Sequence, residues 1–170
     1  MKILETKRLI LQKVSLEDAS IILALLNEPS FIRNIGDRGV RTFEDASKYI
    51  SNRLIASYKN FGFGIYLVVL KDTGSAVGIC GLVKRDGLDD VDIGYAFFPQ
   101  YWEKGYASEA AQAVKEYARN TIGLDRLVAI TDPANQGSIR VLEKIGLKFE
   151  KRVKLSEDDI ELNLYVADLK

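Results

Sequence analysis

Between Phe63 and Phe98 three β-rich runs follow one another with only short turns between them: "FGIYLVVL", "SAVGICGLV" after the turn-like "KDTG", and "VDIGYAFF" after the acidic "RDGLDD". Three such runs in direct succession predict a meander of antiparallel strands. The period then changes. Ala107, Ala110, Ala111, Val114, Tyr117 and Ala118 recur at the spacing of one helix face, and "LDRLVAIT" returns to strand character. Upstream, Arg8 to Val14 alternates as a strand, and Ser15 with Asp18 has capping-box spacing ahead of the apolar run "SLEDASIILALLN". Thr42 and Asp45 repeat that device before Phe43, Ala46, Ile50 and Leu54, predicting a second helix that ends near Asn60. A shorter helix spans Ser138 to Ile145 and closes at Gly146; "KFEKRVKL" and "IELNLYVADL" finish the chain as strands around "SEDD". The predicted order is β-α-α-β-β-β-α-β-α-β-β, an α/β fold with a mixed, mostly antiparallel sheet flanked by helices.

With no repeat, low-complexity tract or Pro-rich linker, residues 1–170 are expected to form one domain. A chain of this length, 47% hydrophobic, buries enough surface to fold without disulfides or metal. Lys plus Arg equals Asp plus Glu at 24 each, so no net field favours nucleic acid or an anionic membrane. Cys80 is the sole cysteine and lies in an apolar run, which reads as core filling in a reducing cytosol, with a reactive thiol as the alternative. The start "MKILETKRLI" lacks a signal-peptide core and no window reaches membrane-span length, so a cytoplasmic location is expected. There is no histidine. Ser-His-Asp hydrolysis and His-ligated zinc are therefore excluded, no metal is expected, and any proton acceptor is Asp, Glu, Tyr, Lys or water.

The stretch "YWEKGYASEAAQ" stands where the meander ends and the alanine-rich helix begins. A strand-to-helix turn points several free amides one way, and the helix dipole adds to them. Gly105 and Ala107 keep that backbone bare and Lys104 adds charge, so the turn suits a pyrophosphate. The plainer reading is a glycine N-cap. "GFGIYL" leads into a strand, the reverse of a dinucleotide fingerprint, and no G-x-x-x-x-G-K-[ST] occurs.

"DIGYAFFPQYWEKGYASEAA" followed by "NQGSIRVLEKIGLKFE" resembles the GNAT superfamily of N-acetyltransferases, within it the ribosomal-protein alanine N-acetyltransferase group, and the likeness extends over essentially the whole chain. In that family the turn reads (Gln/Arg)-x-x-Gly-x-(Gly/Ala). Here Trp102 takes the first position and Glu103 stands where relatives often have a second glycine. The resemblance implies that acetyl-CoA is the donor, with its pyrophosphate on Lys104, Gly105, Tyr106, Ala107 and Ser108. It implies a bulged, splayed strand whose backbone at Ala96, Phe97 and Phe98 pairs with the pantetheine, and contacts from Asn135 and Ser138 to the cofactor arm and thiol. Those two residues also suit plain capping of the helix beginning near Gln136. Homodimers are frequent in the family.

Direct transfer then requires a neutral amine to attack the thioester carbonyl, a base for its proton and a donor for the leaving sulfur. Asp92 is the candidate base, with other carboxylates or water open, and Ser138 the candidate acid. Asp86, Asp89, Asp90 and Asp92 would attract a cationic amine or form a solvated turn. The acceptor is a primary amine, either a protein N-terminal α-amine or a small molecule. A non-catalytic acyl-CoA-binding or sensing domain is the alternative reading.

Overall fold

The computed structural model describes all 170 residues. The chain opens with a hairpin, β1 (Lys2–Glu5) and β2 (Leu9–Lys13). Then come α1 (Ala19–Leu26), the short α2 (Pro29–Asn34), and one long helical stretch made of α3 (Phe43–Tyr49), a π-helical segment (Ile50–Ile55) and α4 (Ala56–Phe61). The meander is β3 (Ile65–Leu70), β4 (Ala76–Val83) and β5 (Asp92–Phe97). Next are α5 (Tyr106–Tyr117), β6 (Arg126–Thr131), α6 (Gln136–Lys144), β7 (Lys148–Val153) and β8 (Leu162–Asp168). No helix is long and apolar enough to cross a membrane.

All eight strands join one sheet in the order β1-β2-β3-β4-β5-β6-β8-β7, and every neighbouring pair is antiparallel except β5–β6. The α5 crossover allows that one parallel step, because parallel neighbours cannot be joined by a tight turn. The predicted element order holds, with two additions: β1 and α2. β1 is four residues long and α2 six, too short for a period to show.

Local chemistry sets the long helix. Thr42 Oγ1 accepts the Asp45 amide at 3.0 Å while Asp45 accepts the Thr42 amide at 3.2 Å, and Gly62 closes the far end at φ 77°. Ala46, Ile50 and Leu54 face the sheet as their spacing predicts. The sheet separates two apolar cores. On one face Cys80, Leu82, Ile93 and Phe97 pack against Ala110, Ala111 and Val114 of α5. On the other Leu67, Val69 and Ile79 pack against Ile22, Leu26, Ala46 and Ile50. Cys80 is fully buried, and burial pushes its thiol pKa up, so it acts as a core residue.

The strands at the centre approach each other closely. A Cβ on Gly81 would stand 2.1 Å from the Gly64 carbonyl oxygen, and one on Gly78 2.3 Å from that of Ala96. Both neighbours are backbone and cannot rotate away. Gly81→Ala is therefore expected to destabilise the protein by about 3 kcal/mol or fail to accumulate folded, read as the midpoint of urea unfolding; a wild-type midpoint would show that the ladder gives way.

Candidate active site

The sheet opens next to its one parallel step. β4 and β5 stay in register through six pairs, from Gly78–Phe97 to Val83–Asp92, with no shift. β5 and β6 meet only at Asp92–Val128, where the Val128 amide donates to the Val91 carbonyl at 3.1 Å. Beyond that pair the two strands part. The expected splay is present, and the expected bulge in β5 is not: the strand runs straight against β4, so the opening arises from divergence of β6.

A cavity of about 550 Å³ fills this opening, within the roughly 300–1,000 Å³ of small-molecule sites. Tyr95, Ala96 and Phe97 of β5 line it, as do Tyr101 to Glu103 and Gly105 to Ser108 of the following turn. The start of α6 contributes Asn135, Gly137 and Ser138, with Arg140, Val141 and Lys144 further along. Leu25, Glu28, Ser30, Phe31, Arg33, Asn34 and Ile35 enclose the end nearest α1 and α2.

Because β5 and β6 are parallel, the helices that follow them both begin at this edge. Their N-termini are finished differently. At α6 the Asn135 side chain accepts the Ser138 amide at 3.2 Å, so Asn135 is a cap. At α5 the N-cap is Gly105, at φ 83°, which offers no side chain. None of the six amides from Glu103 to Ser108 donates to any group of the chain. Glu103 is the only non-glycine residue with positive φ, at 62°. Left-handed residues at 103 and 105 turn successive N–H groups into one concavity, an anion nest at the positive end of a twelve-residue helix.

Of the turn residues expected here, Gly105, Tyr106, Ala107 and Ser108 line the cavity, and Lys104 does not; its side chain is exposed and its carbonyl is taken by Arg8. Ala96 and Phe97 line it too. Phe98 is instead a core residue that does not line the cavity; its amide donates to Val77 and its carbonyl accepts from Tyr101. Ser138 lies beside Tyr95: the phenol oxygen is 3.1 Å from the Ser138 carbonyl, to which it donates, and 3.0 Å from Oγ, where either oxygen can donate. Burial raises the Tyr95 pKa, against a smaller lowering by Ser138, so the phenol stays protonated.

Asp92 is placed otherwise than expected. It is 1% exposed, does not line the cavity, and takes Arg85 Nε at 3.2 Å on each carboxylate oxygen. An amine in the cavity has no direct contact with it. Burial pushes its carboxyl up to about 6, with Arg85 pulling the other way. Among the lining residues that the sequence did not single out are Tyr95, Glu28, Arg33, Arg140 and Lys144. Glu28 forms no salt bridge. Ser30, 8% exposed, makes no side-chain hydrogen bond in the chain. The only signal for that corner was Pro29, a helix-start residue directly after Glu28.

The acetyltransferase (GNAT) domain family matches residues 8–148. The chain belongs to the GNAT acetyltransferase family. This acetyltransferase is 33% identical over 145 residues to the uncharacterized N-acetyltransferase YnaD of Bacillus subtilis (strain 168), a match covering 85% of this chain and 82% of YnaD. A GNAT-family acetyltransferase from Bacillus anthracis superposes with a TM-score of 0.81 at 28% identity, covering 99% of both chains. RimL, a ribosomal L7/L12 α-N-protein acetyltransferase solved with coenzyme A, shares the fold at a TM-score of 0.83 and 19% identity over 99% of this chain and 98% of its own.

The buried carboxylate of this acetyltransferase has a thermodynamic signature. With its folded pKa above the model-peptide value, Asp92 favours the fold below about pH 4 and loses that contribution as pH rises through about 6. Asp92→Asn, which cannot ionise, is expected to gain roughly 3 kcal/mol relative to wild type between about pH 4 and pH 7.5, read by urea unfolding. A difference that stays flat across that range would contradict the burial of an ionised group.

Proposed function

We propose that residues 1–170 act as one cytoplasmic N-acetyltransferase domain that moves an acetyl group from acetyl-CoA to a primary amine. The observation that carries this reading is the run of six unpartnered amides from Glu103 to Ser108, opening on a cleft between parted parallel strands. One helix dipole offers an anion about 0.3–1 kcal/mol at an exposed site, so several converging amides are needed, and a pyrophosphate has the oxygens to use them. Arg33, Arg140 and Lys144 line the same cavity against two carboxylates, Glu28 and Glu103, an electrostatic balance suited to an anionic donor.

When bound, acetyl-CoA supplies a thioester carbonyl that an amine nitrogen can attack. The chain's own groups divide the remaining work. Gly105, Tyr106, Ala107 and Ser108 hold the pyrophosphate, the β5 edge at Ala96 and Phe97 aligns the pantetheine, and Asn135 contacts the same arm while capping α6. Ser138, whose Oγ lies 3.0 Å from the Tyr95 phenol oxygen at the cavity wall, donates a proton to the leaving sulfur. Glu28, a carboxylate with no cationic partner in the chain, attracts the acceptor ammonium and takes the proton released on attack. Asp92 keeps a supporting place beneath the cleft, where only water could link it to the amine.

The acceptor class is a primary amine, and the fold neighbour RimL, which acts on a ribosomal protein α-amine, makes protein N-termini the first to try. Incubation with acetyl-CoA and a panel of N-terminal peptides, amino acids, polyamines and aminoglycosides is expected to release free thiol only when an acceptor is present. Thiol release without any amine dependence would mean thioester hydrolysis, and no release with any amine would count against acetyl transfer. With an accepted amine, Glu28→Gln is expected to lower kcat/KM roughly 10- to 100-fold, leaving acetyl-CoA affinity unchanged. The reverse pattern, loss in Asp92→Asn with Glu28→Gln near wild type, would return the proton to Asp92 through water.

Glu103 adds a second test. It holds a left-handed backbone that costs a non-glycine residue roughly 1 kcal/mol, and its carboxylate lines the cavity beside the nest. Glu103→Gly relieves both, so calorimetry is expected to show acetyl-CoA binding several-fold tighter with thermal stability nearly unchanged. Weaker binding would mean that the Glu103 side chain itself assists the donor.

A further inference from the structure

Arg8, at the start of β2, makes more contacts than a strand end requires. Its amide donates to Glu109 Oε2 at 3.0 Å, its Nε to Glu109 Oε1 at 2.7 Å, and its Nη1 to the Lys104 carbonyl at 2.9 Å. Its guanidinium carbon lies 4.4 Å from the centre of the Tyr106 ring. Thr6 Oγ1 also donates to Glu109, so one carboxylate gathers two of the three residues of the β1–β2 turn. Burial acts to raise the Glu109 pKa, but the bonds from Thr6 and Arg8 outweigh it and hold the carboxyl below its usual value. Nη2 makes no hydrogen bond within the chain and lies 3.2 Å from where a Cβ on Gly105 would stand.

These contacts converge on the segment whose amides are bare. A turn with six unbonded N–H groups has little of its own to fix it. The Trp102 indole, which donates to the Phe97 carbonyl at 2.9 Å, secures its entrance, and Arg8 secures Lys104, Tyr106 and the first turn of α5. We propose that Arg8 is a positioning residue for the phosphate end of the donor: it holds the Glu103–Gly105 backbone in the shape that makes the amides converge, and its free Nη2 adds positive charge beside them. This inference rests on the acetyl-CoA reading above. A planar fork is needed, since bonding a carboxylate and a carbonyl while stacking on a ring is beyond a lysine ammonium. Global stability depends little on Arg8, because a solvent-screened pair with the arginine side chain 42% exposed contributes little to folding. The consequence of losing it falls on preorganisation of the turn.

Arg8→Lys and Arg8→Met provide the test, with coenzyme A binding followed by calorimetry and turnover followed with two donors, acetyl-CoA and acetyl-pantetheine, which lacks the pyrophosphate. Both variants are expected to bind coenzyme A at least fivefold more weakly and to raise KM for acetyl-CoA. kcat and kcat/KM for acetyl-pantetheine are expected to stay within about twofold of wild type. Should Arg8→Met fail to fold, Arg8→Lys carries the comparison. Unchanged coenzyme A affinity, or an equal loss with both donors, would overturn the proposal for Arg8 alone. A wild-type protein that uses acetyl-pantetheine as well as acetyl-CoA would overturn the donor reading and this inference with it.

Discussion

Everything at the site follows from one interrupted ladder. Seven strand pairings build the sheet, and six of them are antiparallel ladders with several residues in register; the seventh, β5–β6, stops after a single pair. A central strand edge whose backbone groups lack partners is ordinarily destabilising, because each buried N–H or C=O without a hydrogen bond forfeits its solvation. The structure leaves this edge facing a cavity of solvent-filled size, so the groups stay usable. Being parallel, the two strands also deliver two helix N-termini to the same rim, and one of them is left without a side-chain cap. Cleft, backbone edge and anion nest are thus three results of the same topological choice.

The electrostatics around that rim are local. Net charge is zero, yet three cations and two carboxylates line one cavity, and a further cation, Arg8, stands behind the nest with its partner Glu109. Glu103 runs against this arrangement in both sign and backbone preference. Its position is one that favours glycine, and nothing in the contacts of Glu103 explains why this chain carries a carboxylate there.

Periodicity read well wherever a segment was long and one-sided. The alanine face of α5, the Thr42–Asp45 capping box and the three meander strands stand where their spacing predicts. The side-chain-poor turn before α5 was legible because glycine at 105 and alanine at 107 have a backbone reason for their identity. Legibility failed where a role depends on tertiary placement. Alternation along β5 put Asp92 and Tyr95 on opposite faces but did not say which face meets the cleft; α6 covers the Tyr95 side, while Arg85 closes over Asp92. Glu28 sits on a helix corner without a period, and Arg8 looked like any strand residue until the fold carried α5 to within reach of it. Phe98, next to two true lining residues, was lost to the core by one step of the chain.

The single pair between Asp92 and Val128 has a mechanical meaning as well. It divides the sheet into a β1–β5 plate and a β6-β8-β7 plate, joined at the centre by one backbone contact together with α5, the crossover that links them. The shared core holds the two plates together from one side, and a ligand lying along the boundary would act as a strap across both. The donor's pantetheine arm, laid against both edges, would replace the missing ladder. Occupancy would then stabilise the folded sheet by RT ln(1 + [L]/Kd), the ordinary linkage of binding to folding. An enzyme assembled in this way is most rigid when charged with substrate and loosest after its product departs.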